Sequence, residues 1–69
     1  SPTHPAVFTS ANEVAVGAFL EGRLPFLSIF EVVARVVGEH HGRSHPDLAQ
    51  LEETLQWATV RARELIENE

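Results

Sequence analysis

The amino-acid sequence predicts an all-α fold, a small bundle of three to four helices that forms a single domain over residues 1–69. In two stretches, residues 29–37 and 48–65, apolar residues recur at spacings of three and four, the period of a helix that buries one face. A third stretch, residues 10–22, carries a start signal and a stop signal for a helix. At 69 residues, the chain is near the size at which one apolar core is barely sufficient.

The central element of the predicted bundle is the helix over residues 10–22. Ser10 and Glu13 have the spacing of a capping box, in which each side chain accepts a hydrogen bond from the backbone amide of the other residue. Gly22 can adopt the left-handed conformation that ends a helix. Apolar side chains cover most of the circumference, which predicts that the helix is buried on several sides, with Phe19 in the core. These apolar residues are Ala11, Val14, Ala15, Val16, Ala18, Phe19 and Leu20.

Residues 1–8 are predicted to form a linker that leads into this helix, because prolines at positions 2 and 5 favour an extended backbone. Gly17 lies within the helix on its polar strip, where glycine costs about 1 kcal/mol relative to alanine. Two interpretations remain open for Gly17. Either a neighbouring backbone approaches closely there, or the glycine meets no structural requirement.

A second helix is predicted to begin at another S-x-x-E pair, Ser28 and Glu31, and to fray over residues 38–42. Four valines in this stretch would also suit a strand. The helix is favoured because charged residues recur every four positions opposite the apolar stripe. The stripe consists of Ile29, Val32, Val33, Val36 and Val37, and the charged residues are Glu31, Arg35 and Glu39.

A third helix is predicted to begin at Ser44 or Asp47 and to carry a heptad-like apolar seam that Ile66 continues. Trp57 flanks this seam. Its ring is expected either at the edge of the core or as an anchor that docks onto a partner domain or subunit. The seam consists of Leu48, Leu51, Leu55, Ala58, Ala62 and Leu65.

The composition argues against several classes of partner. Ten acidic residues against five arginines and no lysine give a net charge of −5, which disfavours nucleic acid and anionic membrane surfaces. No apolar run reaches the roughly 18 residues of a membrane span, and the N-terminus lacks the pattern of a signal peptide. Without cysteine, disulfides and thiolate metal sites are excluded within the chain.

Candidate chemical sites are few. His40, His41 and His45, helped by Asp47, could gather around a transition metal, but they are predicted to lie in a loop, and a solvated turn is the alternative. The adjacent carboxylates at positions 52 and 53 point in different directions on a helix and cannot share one site. The serines at positions 10, 28 and 44 suit caps or turns. The sequence therefore predicts no catalytic, cofactor-binding or metal-binding residue in this chain.

The N-terminal half resembles a known enzyme family. The stretches Pro5-Ala-Val-Phe-Thr-Ser-Ala-Asn-Glu-Val-Ala-Val16 and Ala18-Phe-Leu-Glu-Gly-Arg23 are similar to the start of the C-terminal helical domain of 1-deoxy-D-xylulose 5-phosphate reductoisomerase. That family typically has P-A-V-L-N-A-A-N-E-V-A-V-x-A-F-L-x-G-R-I-x-F-x-D-I at this point. Thr9, Ser10 and Ser28 replace its Asn, Ala and Asp. The C-terminal third matches the family more loosely.

The resemblance implies that the chain is a fragment of a longer cytoplasmic enzyme, expected to be a homo-oligomer, in which this domain braces the upstream catalytic domain. Such enzymes use NADPH and a divalent metal, Mg or Mn, to convert 1-deoxy-D-xylulose 5-phosphate to 2-C-methyl-D-erythritol 4-phosphate for isoprenoid synthesis. Their nucleotide and metal ligands lie upstream of this region. The alternative is a free-standing helical interaction or dimerisation module. In either case the isolated chain is expected to expose an apolar patch and to dimerise or aggregate.

Overall fold

The computed structural model describes residues 4–40 and 47–67 and places them in three α-helices. Helix α1 spans His4–Leu20, α2 spans Phe26–Glu39 and α3 spans Leu48–Glu67. These ranges contain no strand, so the predicted all-α bundle is confirmed. Helix α1 packs against both other helices more extensively than these pack against each other. The central position predicted for this helix is therefore also confirmed.

Helix α1 begins at His4, six residues before Ser10, so the predicted start at the Ser10 cap is wrong. Pro5 fits the first turn because amides there have no partner within the helix. The buried stripe of α1 extends back to Val7 at spacings of three and four, and burial of this side chain favours continuing the helix. Residues 4–8 of the predicted lead-in are thus helical, whereas residues 1–3 lie outside the described ranges. The fully buried residues of the stripe are Val7, Ala11, Ala15 and Ala18.

The predicted end of α1 at Gly22 is confirmed. Gly22 has a φ of 79°, and its amide donates to the carbonyl of Phe19 at 3.0 Å. The Arg23 amide donates to the carbonyl of Ala18 at 2.9 Å. These two bonds form a Schellman motif, which satisfies carbonyls that the end of a helix would leave unpaired. The chain then turns and buries Leu24 before α2.

Helix α2 begins at Phe26, so the predicted start at a Ser28–Glu31 capping box is wrong. Pro25 is the N-cap residue, with extended dihedral angles and no side-chain hydrogen bond. Its carbonyl accepts from the Ser28 amide at 3.1 Å, which places Ser28 inside the first turn. Proline has its φ already fixed and needs no side-chain cap to direct the chain into a helix. The predicted apolar stripe is confirmed, with Ile29, Val32, Val33 and Val36 buried.

Helix α3 was predicted to begin at Ser44 or Asp47, and Asp47 caps its start. Ser44 lies outside the described ranges. An Asp47 carboxylate oxygen accepts from the Gln50 amide at 2.7 Å. In return, the Asp47 amide donates to the Gln50 side-chain carbonyl at 3.1 Å. This reciprocal pair has the geometry of a capping box.

The predicted seam of α3 is only partly correct. Ala58, Ala62 and Ile66 are the buried residues of this helix, at spacings of four. The seam residue Leu48 is largely exposed, and Leu65 is half-buried. A straight helix drifts relative to a heptad repeat, so residues chosen at spacings of 3.5 leave the contact line over several turns.

The core is built from small side chains. Of the fully buried side chains, the largest are Val7 and Val36. Phe19, predicted to lie in the core, is 37% exposed, so that prediction is wrong. Alanines hold the contact line of α1 instead, and they permit closer approach of neighbouring helices than an aromatic ring would. The core residues are Val7, Ala11, Ala15, Ala18, Leu24, Ile29, Val32, Val33, Val36, Ala58, Ala62 and Ile66.

Replacing Gly17 with alanine is expected to stabilise the domain by up to about 1 kcal/mol, the difference in helix propensity. A Cβ atom built at Gly17 meets no atom within 4 Å outside its own helix, so the close-approach interpretation is not supported. Thermal unfolding followed by circular dichroism would measure the gain. Gly22→Ala is the matched control, and it should destabilise the domain because of the positive φ. A lower melting temperature for Gly17→Ala would contradict the expectation.

Candidate docking surface

All four phenylalanines of the chain lie at its surface. The exposed fractions are 52% for Phe8, 37% for Phe19, 55% for Phe26 and 59% for Phe30. We call these four residues the phenylalanine face. Since the core holds mostly valine and alanine, the bulkiest apolar side chains of α1 and α2 are outside it. Contiguous exposed apolar patches on a protein surface often mark interaction sites.

Three of these rings form a ladder across α1 and α2. The ring centroids of Phe19 and Phe26 are 5.5 Å apart at an interplanar angle of 63°, and those of Phe26 and Phe30 are 5.6 Å apart at 90°. Both contacts have the edge-to-face geometry that aromatic pairs prefer. Although each ring is partly exposed, the contacts between the rings restrict their positions. These side chains therefore have little rotamer entropy to lose when a partner binds.

A groove of about 440 Å³ continues the face between α1 and α2. Phe8 and Phe30 line it, and beyond Phe30 the same side of α2 presents Ala34 and Gly38 at spacings of four. The change from large to small side chains along α2 creates the depression. The lining consists of Phe8, Asn12, Ile29, Phe30, Val33, Ala34, Val37 and Gly38.

Asn12 is the polar side chain of this lining. It is half-buried, and its amide group forms no hydrogen bond with another described residue. A carboxamide offers both a donor and an acceptor, which matches the two polar groups of a peptide backbone. The groove therefore combines apolar walls with one group able to orient an occupant.

An ion-pair cluster centred on Glu39 joins the end of α2 to α3. The carboxylate accepts from Nε of Arg61 at 2.6 Å and from Nε of Arg35 at 2.6 Å. Arg61 also lies 3.5 Å from Glu64. Hydrogen bonds from Arg61 and Arg35 lower the pKa of Glu39 from 4.5 to about 2, and the same bond to Glu39 raises the pKa of Arg61. The cluster fixes the two helices relative to each other.

The contribution of Glu39 to stability is expected to depend on pH between about 4.5 and about 2. Because the folded-state pKa is lowered, the stabilisation is complete above the unfolded pKa and is lost as the pH falls through the folded value. The melting temperatures of the parent chain and of Glu39→Gln should differ at neutral pH and converge near pH 2. Glu53→Gln, which replaces an exposed glutamate of α3, is the control. A constant difference between parent and Glu39→Gln over this range would contradict the expectation.

Trp57 lies at the edge of the core, half-buried and packed against the buried cluster, in agreement with the first of its two interpretations. Its ring centroid is 6.0 Å from that of His40, at an angle of 33°. This aromatic contact holds His40 at the junction of α2 and α3.

The described ranges contain only part of the candidate metal site. Of the proposed ligands, His40 and Asp47 are described, whereas His41 and His45 lie outside the described ranges. Within those ranges, no group of three histidine, aspartate or glutamate side chains is placed to hold a metal ion. Ser10 and Ser28 lie inside helices. That the chain carries no catalytic, cofactor-binding or metal-binding residue remains a prediction. None of the described helices is long and apolar enough to cross a membrane.

Most of this chain matches the model of a known protein family. Residues 1–62 match the model of the DXP reductoisomerase C-terminal domain. The chain belongs to this family. The resemblance inferred from residues 5–23 is thereby confirmed, and the match extends through α2 and most of α3.

Curated relatives of this reductoisomerase domain agree with the assignment. A 1-deoxy-D-xylulose 5-phosphate reductoisomerase from Beutenbergia cavernae is 51% identical over 96% of this chain, which corresponds to 17% of that protein. Reductoisomerases from Symbiobacterium thermophilum and Streptomyces avermitilis are 48% and 50% identical over 90% and 91% of the chain, or 16% and 17% of those proteins. The chain thus spans about one sixth of the length of these relatives. No solved structure shows a significant match.

Proposed function

We propose that this chain is the non-catalytic C-terminal domain of a 1-deoxy-D-xylulose 5-phosphate reductoisomerase. The observation that carries the proposal is the family match over residues 1–62, together with relatives that bear this name. The longer protein would convert 1-deoxy-D-xylulose 5-phosphate to 2-C-methyl-D-erythritol 4-phosphate with NADPH, in isoprenoid biosynthesis. It would be a cytoplasmic homo-oligomer.

The proposed role of the domain is to brace the catalytic part of the same polypeptide. Among its described carboxylates, Glu39 forms ion pairs and Asp47 caps a helix, and no three of the described carboxylates are placed to hold one metal ion. They do not fit the divalent metal, and the described loop between α1 and α2 shows no glycine-rich phosphate cradle for NADPH. The divalent metal and NADPH would both be held by residues that precede this domain in the longer protein. The phenylalanine face, in contrast, suits a contact between domains.

The test uses the full-length protein that contains this chain, assayed by oxidation of NADPH with 1-deoxy-D-xylulose 5-phosphate and Mg²⁺. Activity is expected, and kcat should be unchanged by His40→Ala or Asp47→Ala in protein that remains folded. Absence of activity from well-folded full-length protein would overturn the assigned reaction. A large fall in kcat from either variant, at unchanged melting temperature and KM, would overturn the non-catalytic role.

The second candidate is a free-standing helical dimerisation module, and the exposed phenylalanine face is the observation that favours it. Such a module would have its own start codon directly before Ser1 and would function without neighbouring domains. Sequencing the upstream coding region separates the two candidates, because a long open frame with nucleotide-binding and metal-binding motifs would exclude the module.

A further inference from the structure

We propose that the phenylalanine face and its groove are covered by the preceding part of the same polypeptide, which inserts an apolar side chain between Phe8 and Phe30. This inference rests on the proposed function, and it names the surface through which the domain would act. Asn12 would hydrogen-bond the backbone of the inserted segment. The occupant is thus an apolar peptide segment in cis, and neither a small ligand nor a second copy.

The first support is the distribution of side-chain size. The largest fully buried side chains are valines, while all four phenylalanines remain 37–59% exposed. A domain of this size depends on nearly all of its apolar surface for stability. Phenylalanines left outside such a core are explained if another part of the protein completes their burial, since aromatic residues dominate interface energetics.

The second support is the shape and polarity of the groove. Two aromatic residues, Phe8 and Phe30, line it together with two small residues, Ala34 and Gly38. A Cβ atom built at Gly38 would meet no atom within 4 Å outside its own helix, so the space is open to a side chain. Asn12 lies in the same lining, and its amide group forms no hydrogen bond with a described residue. This arrangement fits an anchor side chain flanked by a peptide group better than it fits a charged ligand.

The third support concerns which molecule is available to occupy the groove. The relatives are about six times as long as the matched region, and the matched family is a C-terminal domain, so most of each relative precedes this domain. A tethered segment reaches the groove at a high effective concentration, which a separate molecule does not. A second copy would also bring together two chains that each carry a net charge of −5, which opposes association.

The test measures thiol accessibility in the full-length protein. The chain contains no cysteine, so Ala34→Cys places a single thiol of this region inside the groove. Val60→Cys is the matched control, because Val60 is 52% exposed on α3 and does not line the groove. Each variant is treated with a maleimide reagent, and the labelled peptide is identified by mass. We expect the thiol of Ala34→Cys to react at least about tenfold more slowly than that of Val60→Cys, because its reaction would require local opening.

Equal labelling rates for the two variants would overturn the proposal. Protection of the Ala34→Cys thiol that disappears on dilution, together with a decrease in particle size, would also overturn it, because the cover would then be a second copy. Reductoisomerase activity is measured on the same samples. If the protein is active but the Ala34→Cys thiol is not protected, this inference is rejected and the proposed function is retained. If the thiol is protected but the protein is inactive, the proposed reaction is rejected and the inference of a covered phenylalanine face is retained.

Discussion

Val36→Asp is expected to abolish folding of the 69-residue domain. Val36 is fully buried, and it is one of the two largest side chains that are completely enclosed. A carboxylate there would lose its hydration without gaining a partner, a penalty of several kcal/mol even after relaxation. The total stability of a domain of this size is on the order of 3–10 kcal/mol. Circular dichroism should therefore show loss of the helical signal at neutral pH.

Ala34→Asp is the matched control for this substitution, because it places the same charge on α2 only two residues earlier at an exposed position. Its helical signal and melting temperature should stay near those of the parent chain. A folded Val36→Asp domain with an unchanged melting temperature would show that this side of α2 is not buried in solution.

Ala58→Leu is expected to cost about 1–3 kcal/mol through overpacking. Ala58 has no exposed surface, and the buried stripe of α1 is also built mainly from alanine, so this part of the core has little room for three further carbon atoms. For a chain of this length, each kcal/mol lowers the melting temperature by roughly 4–8 °C. The fall should therefore be clear in thermal unfolding followed by circular dichroism.

Ala49→Leu provides the comparison, since Ala49 is an exposed position in the first turn of the same helix. This variant makes the same chemical change without adding volume to the core and should unfold near the parent temperature. If both leucine variants unfolded alike, steric crowding at Ala58 would be excluded as the cause.

Helix type and order were predictable because they depend on local patterns. The valine stripe of α2 and the stop at Gly22 required only periodicity and one backbone conformation. Helix starts were less predictable, because S-x-x-E pairs occur inside helices as well as at their ends. In α1, burial of Val7 favours a start before Ser10. In α2, the fixed φ of Pro25 favours a start before Ser28.

An exposed apolar patch was predicted, but the phenylalanines that form the candidate docking surface were not, although part of their signal is present in the sequence. Phe26 and Phe30 are four residues apart and flank the valine stripe of α2, so the apolar arc is wider than one neighbouring helix can cover. Periodicity identifies an apolar arc but does not show which edge of it a neighbour will reach. The exposure of Phe19 depends on the small residues that bring α1 close to its neighbours, which is a tertiary effect.

The contact between Trp57 and His40 gives the domain an intrinsic optical probe. Trp57 is the sole tryptophan, and the chain has no tyrosine, so ultraviolet-excited emission comes from one indole. That indole lies where the end of α2 meets α3, at the side of the Glu39 ion pairs. Its fluorescence therefore responds to separation of α3 from α2, whereas circular dichroism averages over all three helices. Recording both signals during unfolding would reveal whether α3 detaches before the pair formed by α1 and α2 melts.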